Sequence, residues 1–263
     1  MKAISNLRLI ARLDVKGPDL IKGVHLEGVR KFGDPQEFAR RYYKEGIDEI
    51  IYIDAVASLY GRNNLTEILR HTASDVFIPI TVGGGVRSVA DAQRLLLAGA
   101  DKIAVNTEAT KRPALISEMA EQFGSQCIVL SIQAKRQSQN KWEAYCDLGR
   151  EHTGLDAIDW AIKGQELGVG EILVTSVDQE GTQNGFDVDL TRSISQAVTI
   201  PVIASGGMGQ LNHLDEVIQN GSADAVAMAH IFHYGKYSVA DVRDYALKAN
   251  YSMRKVRIPA NES

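Results

Sequence analysis

Ile78-Pro79-Ile80-Thr81-Val82-Gly83-Gly84-Gly85 is written a second time in this chain as Ile200-Pro201-Val202-Ile203-Ala204-Ser205-Gly206-Gly207, with Pro79 and Pro201 122 residues apart. Each copy reads as a short apolar strand entered through proline and left through a glycine turn. The same spacing pairs Gly46-Ile47-Asp48-Glu49-Ile50 with Gly168-Val169-Gly170-Glu171-Ile172, and a spacing of 123 pairs Gly99-Ala100-Asp101 with Ser222-Ala223-Asp224. Ala11-Arg12-Leu13-Asp14-Val15-Lys16 is echoed by Ser131-Ile132-Gln133-Ala134-Lys135, with Gln133 in the place of Asp14. A repeat of this length means a supersecondary unit used twice.

Outward from these stretches, apolar runs alternate with amphipathic ones, the pattern of βα units around a parallel sheet. Strands are expected at 7–14, 49–54, 80–82, 102–105, 128–133, 171–175, 202–205 and 225–229, and helices at 35–45, 65–74, 89–98, 113–123, 155–167, 188–196, 211–219 and 239–249. Asp34-Pro35 and Arg112-Pro113 put proline near a helix start, and Ser88 can cap the next one. Eight strands in two sets of four predict a single α/β domain over 1–263, a (β/α)8 TIM barrel of two half-barrels at about 1–122 and 123–250 with a tail at about 251–263. A doubly wound open sheet is the alternative. Residues 17–34 and 136–154 make unusually long connections at the same place in each half, and their alternating runs at 20–29 and 141–147 can form hairpins, a lid and a wall over the active face.

The 263-residue length suits a barrel-sized core, and 44% hydrophobic with 24% charged residues is ordinary for a globular protein. A net charge of -4 argues against non-specific nucleic-acid binding. The two cysteines, Cys127 and Cys146, suggest neither a disulfide framework nor a zinc site, so a reducing cytoplasm is expected. No apolar signal core or membrane-length run is present in the sequence.

In a barrel the ends of the strands carry the chemistry. Gly83-Gly84-Gly85 and Gly206-Gly207-Met208-Gly209 expose backbone N–H groups that an anion can approach, and a helix follows each. Two such cradles, symmetrically placed, imply a ligand with a phosphate at each end. Asn106 and Thr107 extend the first cradle and His230 the second, while Gly181-Thr182 can be either a loop or a ligand contact. Asp14 is placed for general acid–base work, or it caps a loop; Lys22 reaches over the ligand from the long connection, or it is solvated. Asp54 and Asp178 read as polar ligands or, more simply, as ordinary hydrogen-bonding groups. Arg8, Glu49, Lys102 and Glu171 open four strands, so they meet at the opposite end of the barrel, as a structural charge cluster or as a gate to a passage along the axis.

Together, Leu13-Asp14-Val15-Lys16, Lys22-Gly23-Val24, Thr81-Val82-Gly83-Gly84-Gly85, Ala100-Asp101-Lys102, Val105-Asn106-Thr107, Phe123-Gly124-Ser125-Gln126, Gly181-Thr182 and Ala204-Ser205-Gly206-Gly207 resemble the cyclase subunit family of imidazole glycerol phosphate synthase, over essentially the whole chain. The resemblance implies a heterodimer with a glutaminase subunit of the glutamine amidotransferase type, whose ammonia passes through the barrel to a bisphosphorylated aminoimidazole carboxamide substrate. No cofactor or metal is implied. By position, Asp14 looks like the family's first catalytic aspartate and Lys22 its loop lysine; Gly84, Gly85, Asn106 and Thr107 look like one phosphate site, and Gly181, Thr182, Gly206, Gly207, Ala229 and His230 the other. Arg8, Glu49, Lys102 and Glu171 match the ammonia gate, and Asp101 a residue facing the glutaminase.

Two positions depart from that pattern. Gln133 stands where the second catalytic aspartate is expected, and His230 where a small phosphate-binding serine is. An amide cannot exchange a proton near neutral pH, and losing a general acid or base removes a factor of about 10²–10⁴ in rate. The resemblance therefore leaves three readings: a cyclase subunit; a divergent ammonia conduit that works with a sugar amidotransferase on surface polysaccharide; and an isomerase similar to the phosphoribosyl-formimino aminoimidazole ribotide isomerases. The isomerase uses two acids and needs no gate, so Gln133 and the charged ring both count against it.

Overall fold

The computed structural model describes residues 6–56 and 65–256. In chain order the strands of the first half are β1 (Arg8–Lys16), β2 (Asp19–Val24), β3 (Glu27–Gly33), β4 (Glu49–Asp54), β5 (Ile80–Gly83) and β6 (Lys102–Val105). Those of the second are β7 (Ile128–Ser138), β8 (Lys141–Cys146), β9 (Glu151–Asp156), β10 (Glu171–Ser176), β11 (Val202–Ser205) and β12 (Ala225–Met228). Eight of them run parallel in the cyclic order β1, β4, β5, β6, β7, β10, β11, β12 and back to β1. The halves are joined by β6 with β7, Ile103 opposite Ile128, and by β12 with β1, Ala225 opposite Arg8; with β7 also paired to β10, Val129 opposite Glu171 through Ala134 opposite Ser176, the ring is complete and an open sheet is excluded.

Side chains alternate across a strand, and here the alternation sorts the apolar residues into two cores. Ile10, Ile51, Ile53, Ala104, Val129, Leu173, Ile203, Ala225 and Ala227 fill the barrel interior. Their strand neighbours, such as Leu9, Ala11, Leu13, Ile50, Tyr52 and Leu130, pack outward under the surrounding helices. The helices start where the sequence supplies caps. Asp34 accepts from Gln36 N ahead of Pro35–Lys44, and Ser88 accepts from Asp91 N ahead of Val89–Leu97. Asp156 accepts from Ile158 N and Asp159 N, so Leu155 and Asp156 end β9 and the helix begins only at Ala157. The helix expected at 211–219 is a short α-helix, Asn212–Asp215, running into a π-helical turn at Glu216–Asn220.

Both long connections are hairpins that grow out of barrel strands. β1 continues past Asp14 to Lys16 because Val15 and Lys16 pair with Leu20 and Asp19 of β2. β7 continues to Ser138 because its end pairs with β8, Gln133 facing Tyr145. Strands β1 and β7 thus each double as the first strand of their own hairpin.

The barrel floor is closed by the chain's two ends. Leu7 N donates to Ser252 O at 2.8 Å. Asp48 accepts from Leu9 N at 2.9 Å, from Arg243 Nη2 at 2.6 Å and from Arg254 Nε at 3.1 Å. Of the expected tail at 251–263, residues 257–263 lie outside the described residues. Among the described residues no helix is long and apolar enough to cross a membrane. Both cysteines are free.

Asp48 and Arg243 are both buried, and removing one member of a buried pair leaves an uncompensated charge. Asp48→Ala should lower the unfolding free energy by about 3–5 kcal/mol, read from urea denaturation beside the wild type. A loss of under about 1 kcal/mol would mean that this clasp holds little of the floor.

Candidate active site

Strand β1 carries the site's logic in its even-numbered positions. Arg8, Ile10, Arg12 and Asp14 succeed one another along the interior-facing register, so a charge sits at the floor, an apolar residue in the middle and two charges at the mouth.

At the floor, Arg8 Nη1 donates to Glu49 Oε1 at 2.7 Å and Arg8 Nη2 to Glu171. Lys102 Nζ donates to Glu49 Oε2 at 3.1 Å and to Glu171 Oε2 at 2.9 Å. The four predicted side chains therefore form a closed ring in which each cation touches both anions. Burial opposes the charge on Arg8, but Glu171 and Glu49 more than offset it and leave its pKa raised. Asp101 lies just outside, exposed, and its carboxylate caps Ile80 N at 2.8 Å. Two exposed apolar residues share that end: Phe77, ahead of β5, and Leu97, which closes the helix ahead of β6.

At the mouth, the first cradle is a cavity of about 100 Å³ lined by Gly84, Gly85, Asn106, Thr107, Ser131 and Gln133. Gly84 has φ +96°, and a Cβ there would stand 2.4 Å from Asp54 O, so both the conformation and the space demand glycine. Asn106 Nδ2 donates to Tyr145 O at 3.2 Å, and Thr107 Oγ1 accepts from Asp147 N at 3.1 Å, which ties the end of β8 over this cradle. Gln133 is buried and its Oε1 has no hydrogen-bond partner among the described residues. Gln133 lines this cavity, and a ligand donor that reached its Oε1 would satisfy it.

The second cradle is far tighter, about 10 Å³, lined by Gly181, Gly206, Gly207, Ala229 and His230 together with Arg12, Lys22, Glu180 and Ser205. Lys22 descends into it from β2 and forms an ion pair with Glu180. Burial lowers the Lys22 pKa to about 8, Asp14 opposing that shift and Arg12 adding to it. His230 stacks on Tyr234 with ring centroids 4.2 Å apart. Burial, then Lys22 and Lys236, lower its pKa. Thr182 is not part of this lining; its hydroxyl donates to Gln179 O at 2.8 Å and closes the turn after β10.

Between the cradles stands Asp14, lining a further cavity of about 80 Å³ beneath the β2–β3 hairpin. Arg12 Nε donates to Asp14 Oδ1 at 2.9 Å, and Arg12 Nη1 donates to Thr175 Oγ1 at 2.9 Å and Ser205 Oγ at 3.1 Å. Arg12, Thr175, Ser205, Ser131 and Glu180 were not singled out by the motif reading. For Arg12 a signal existed: counting in twos from Arg8 brings it to the axis. For Glu180, in a loop without periodicity, there was none.

The fold and these two ends define the class, a (β/α)8 barrel with two glycine-lined cavities at its mouth and a charged ring on its floor. A family model described as "Histidine biosynthesis protein" matches residues 8–238. The imidazole glycerol phosphate synthase subunit HisF of Legionella pneumophila is 64% identical over 212 residues, covering 81% of this chain and 100% of that protein. The chain belongs to the HisF family of the histidine biosynthesis proteins.

An anion seated on Lys22 needs its ammonium charged, and that charge is lost as pH rises through about 8. The affinity of the chain for inorganic phosphate should therefore fall across pH 7–9 about as one proton is lost. Calorimetric titrations at several pH values would check this, and Lys22→Met should flatten the dependence.

Proposed function

We propose that this chain is the ammonia-accepting cyclase subunit of an imidazole glycerol phosphate synthase. The observation that carries the reading is the closed ring of Arg8, Glu49, Lys102 and Glu171 on the axis, directly below a mouth with two anion cradles. A lone structural charge cluster would not call for two cradles above it, and a phosphate-binding isomerase would not call for the ring below.

In this reading a glutaminase subunit docks on the floor, where Asp101 supplies a charge and Phe77 and Leu97 supply exposed apolar surface. Ammonia enters as the ring's ion pairs part and moves along the interior lined by Ile10, Ile51, Val129 and Leu173. A bisphosphorylated aminoimidazole carboxamide substrate lies across the mouth, one phosphate at Gly84, Gly85, Asn106 and Thr107, the other at Gly206, Gly207 and Ala229 with Lys22 above. That places its reacting centre between Asp14 and Gln133. Asp14 takes and returns the protons of ring closure, while the free Gln133 Oε1 accepts from a substrate N–H or O–H and orients it. The products are imidazole glycerol phosphate and an aminoimidazole carboxamide ribotide. The two half-barrels, about 1–122 and 123–250, each supply the glycine turn of one cradle and one of the two central side chains. With both cysteines free, a reducing cytoplasm suits the chain.

Gln133 leaves a second reading, which the 64% identity to HisF does not favour. The amide stands where a second acid would be expected and cannot exchange a proton near neutral pH. In that reading the barrel chiefly passes ammonia onward to a sugar amidotransferase.

The test is direct. Incubated with ammonium salt and the ribulosyl aminoimidazole substrate, the chain should form cyclised product, and Gln133→Asp should raise turnover by about 10²-fold or more. No product from either protein would abandon the cyclase in favour of the conduit. A second measurement addresses the floor: Lys102→Met should lower glutamine-driven turnover in the glutaminase complex while sparing ammonium-driven turnover, and equal losses in both would remove the gate role.

A further inference from the structure

The second cradle already holds a negative charge. Lys22 and Glu180 have side chains only 2% and 4% exposed, and both line the cavity that Gly206 and Gly207 shape. A Cβ placed on Gly206 would stand 3.0 Å from Glu180 Oε2, so the carboxylate lies against the bare glycine backbone where an anion would come to rest. The remaining space is about 10 Å³, room for about one water molecule. The first cradle, on the repeat-related loop, leaves about 100 Å³.

A carboxylate buried on an anion site is costly unless a cation accompanies it. Lys22 is that cation. Among the other described side chains lining the cradle, Arg12 is committed to Asp14, Thr175 and Ser205, and burial and Lys22 lower the pKa of His230.

We propose that Glu180 is a specificity-determining residue, a resident carboxylate that the phosphoryl end of the ligand displaces from Lys22. This rests on the two-cradle reading given above. A phosphoryl dianion brings more charge and three strong acceptor oxygens, so it gains from the exchange. A carboxylate, hydroxyl or uncharged end would surrender the Lys22–Glu180 pair without an equivalent return, and is refused. The exchange asks only the Glu180 side chain to swing. The hairpin keeps its other ties to the loop after β10, His25 N to Glu180 O at 2.8 Å and His25 Nδ1 to Val177 O at 2.9 Å.

The experiment titrates the purified full chain with inorganic phosphate and follows the imidazole resonances of His230, which lines this cradle and not the first. Glu180→Gln keeps the size of the side chain and removes its charge. Its half-saturating phosphate concentration should fall at least about tenfold, the gain expected when an internal competitor closes the site in nine of ten molecules. Should the Gln variant fail to fold, Glu180→Ala gives the same comparison. Unchanged or weaker binding would overturn the proposal, since Glu180 would then only position Lys22. A His230 signal indifferent to phosphate in every protein would overturn the proposal together with the two-cradle reading, whereas equal binding by wild type and variant would overturn the proposal alone.

Discussion

Once the eight parallel strands close into a ring, every second residue of each must face the barrel axis, and a charge there has few places to find a partner. This constraint governs the molecule from floor to mouth. On β1 it stacks Arg8, Ile10, Arg12 and Asp14 on one line, and no one of the four can be turned outward without reversing the register of the whole strand. The ionic ring, the apolar middle and the charged mouth are thus three layers of a single alternation.

The two charged layers satisfy the constraint differently. At the floor each cation serves both carboxylates, so the charges balance within the ring and opening one contact leaves another in place. The mouth is split into private pairs, Arg12 with Asp14 and Lys22 with Glu180. Breaking a buried pair by removing one partner typically costs about 3–5 kcal/mol, so any ligand there has to replace what it displaces. Gln133 is uncharged, and its acceptor has no hydrogen-bond partner among the described residues. The floor thus shares its charges around a ring, while the mouth holds them pair by pair.

The fold was legible because the chain states it twice. Ile80–Gly83 and Val202–Ser205 are short, and periodicity alone would not separate either from a buried helical segment; their register with one another decides it. The ring was legible for a related reason, since Arg8, Glu49, Lys102 and Glu171 all open their strands and parallel strands put like ends together. Pair formation at the mouth was not. Lys22 meets Glu180 only because the β2–β3 hairpin folds over the loop after β10, and no local pattern encodes where a hairpin tip comes to rest. Arg12 is intermediate: its direction follows from parity, but its partners, Thr175 and Ser205, come from strands far along the chain. Thr182 belonged to a plausible motif yet serves its own turn.

The repeat also shows where the two halves were free to diverge. Asp101 caps Ile80 N and Asp224 caps Val202 N, each at 2.8 Å, so the cap between consecutive strands is kept in both. Asp48 and Gly170 occupy equivalent positions but do opposite things. Asp48 is the hub that draws in Arg243 and Arg254, whereas a Cβ at Gly170 would stand 2.3 Å from Ser125 O. One half closes its floor by recruiting charges from the end of the chain, and the other by letting the Ser125–Cys127 turn pack directly on the backbone. Asp14 and Gln133 are the same divergence at the mouth. A duplicated strand can exchange an acid for an amide of similar reach without disturbing the barrel, because the outward-facing residues on either side, Leu13 and Val15 in one half and Ile132 and Ala134 in the other, carry the packing. Stability is held by one parity of the strand, which leaves the chemistry free to change on the other.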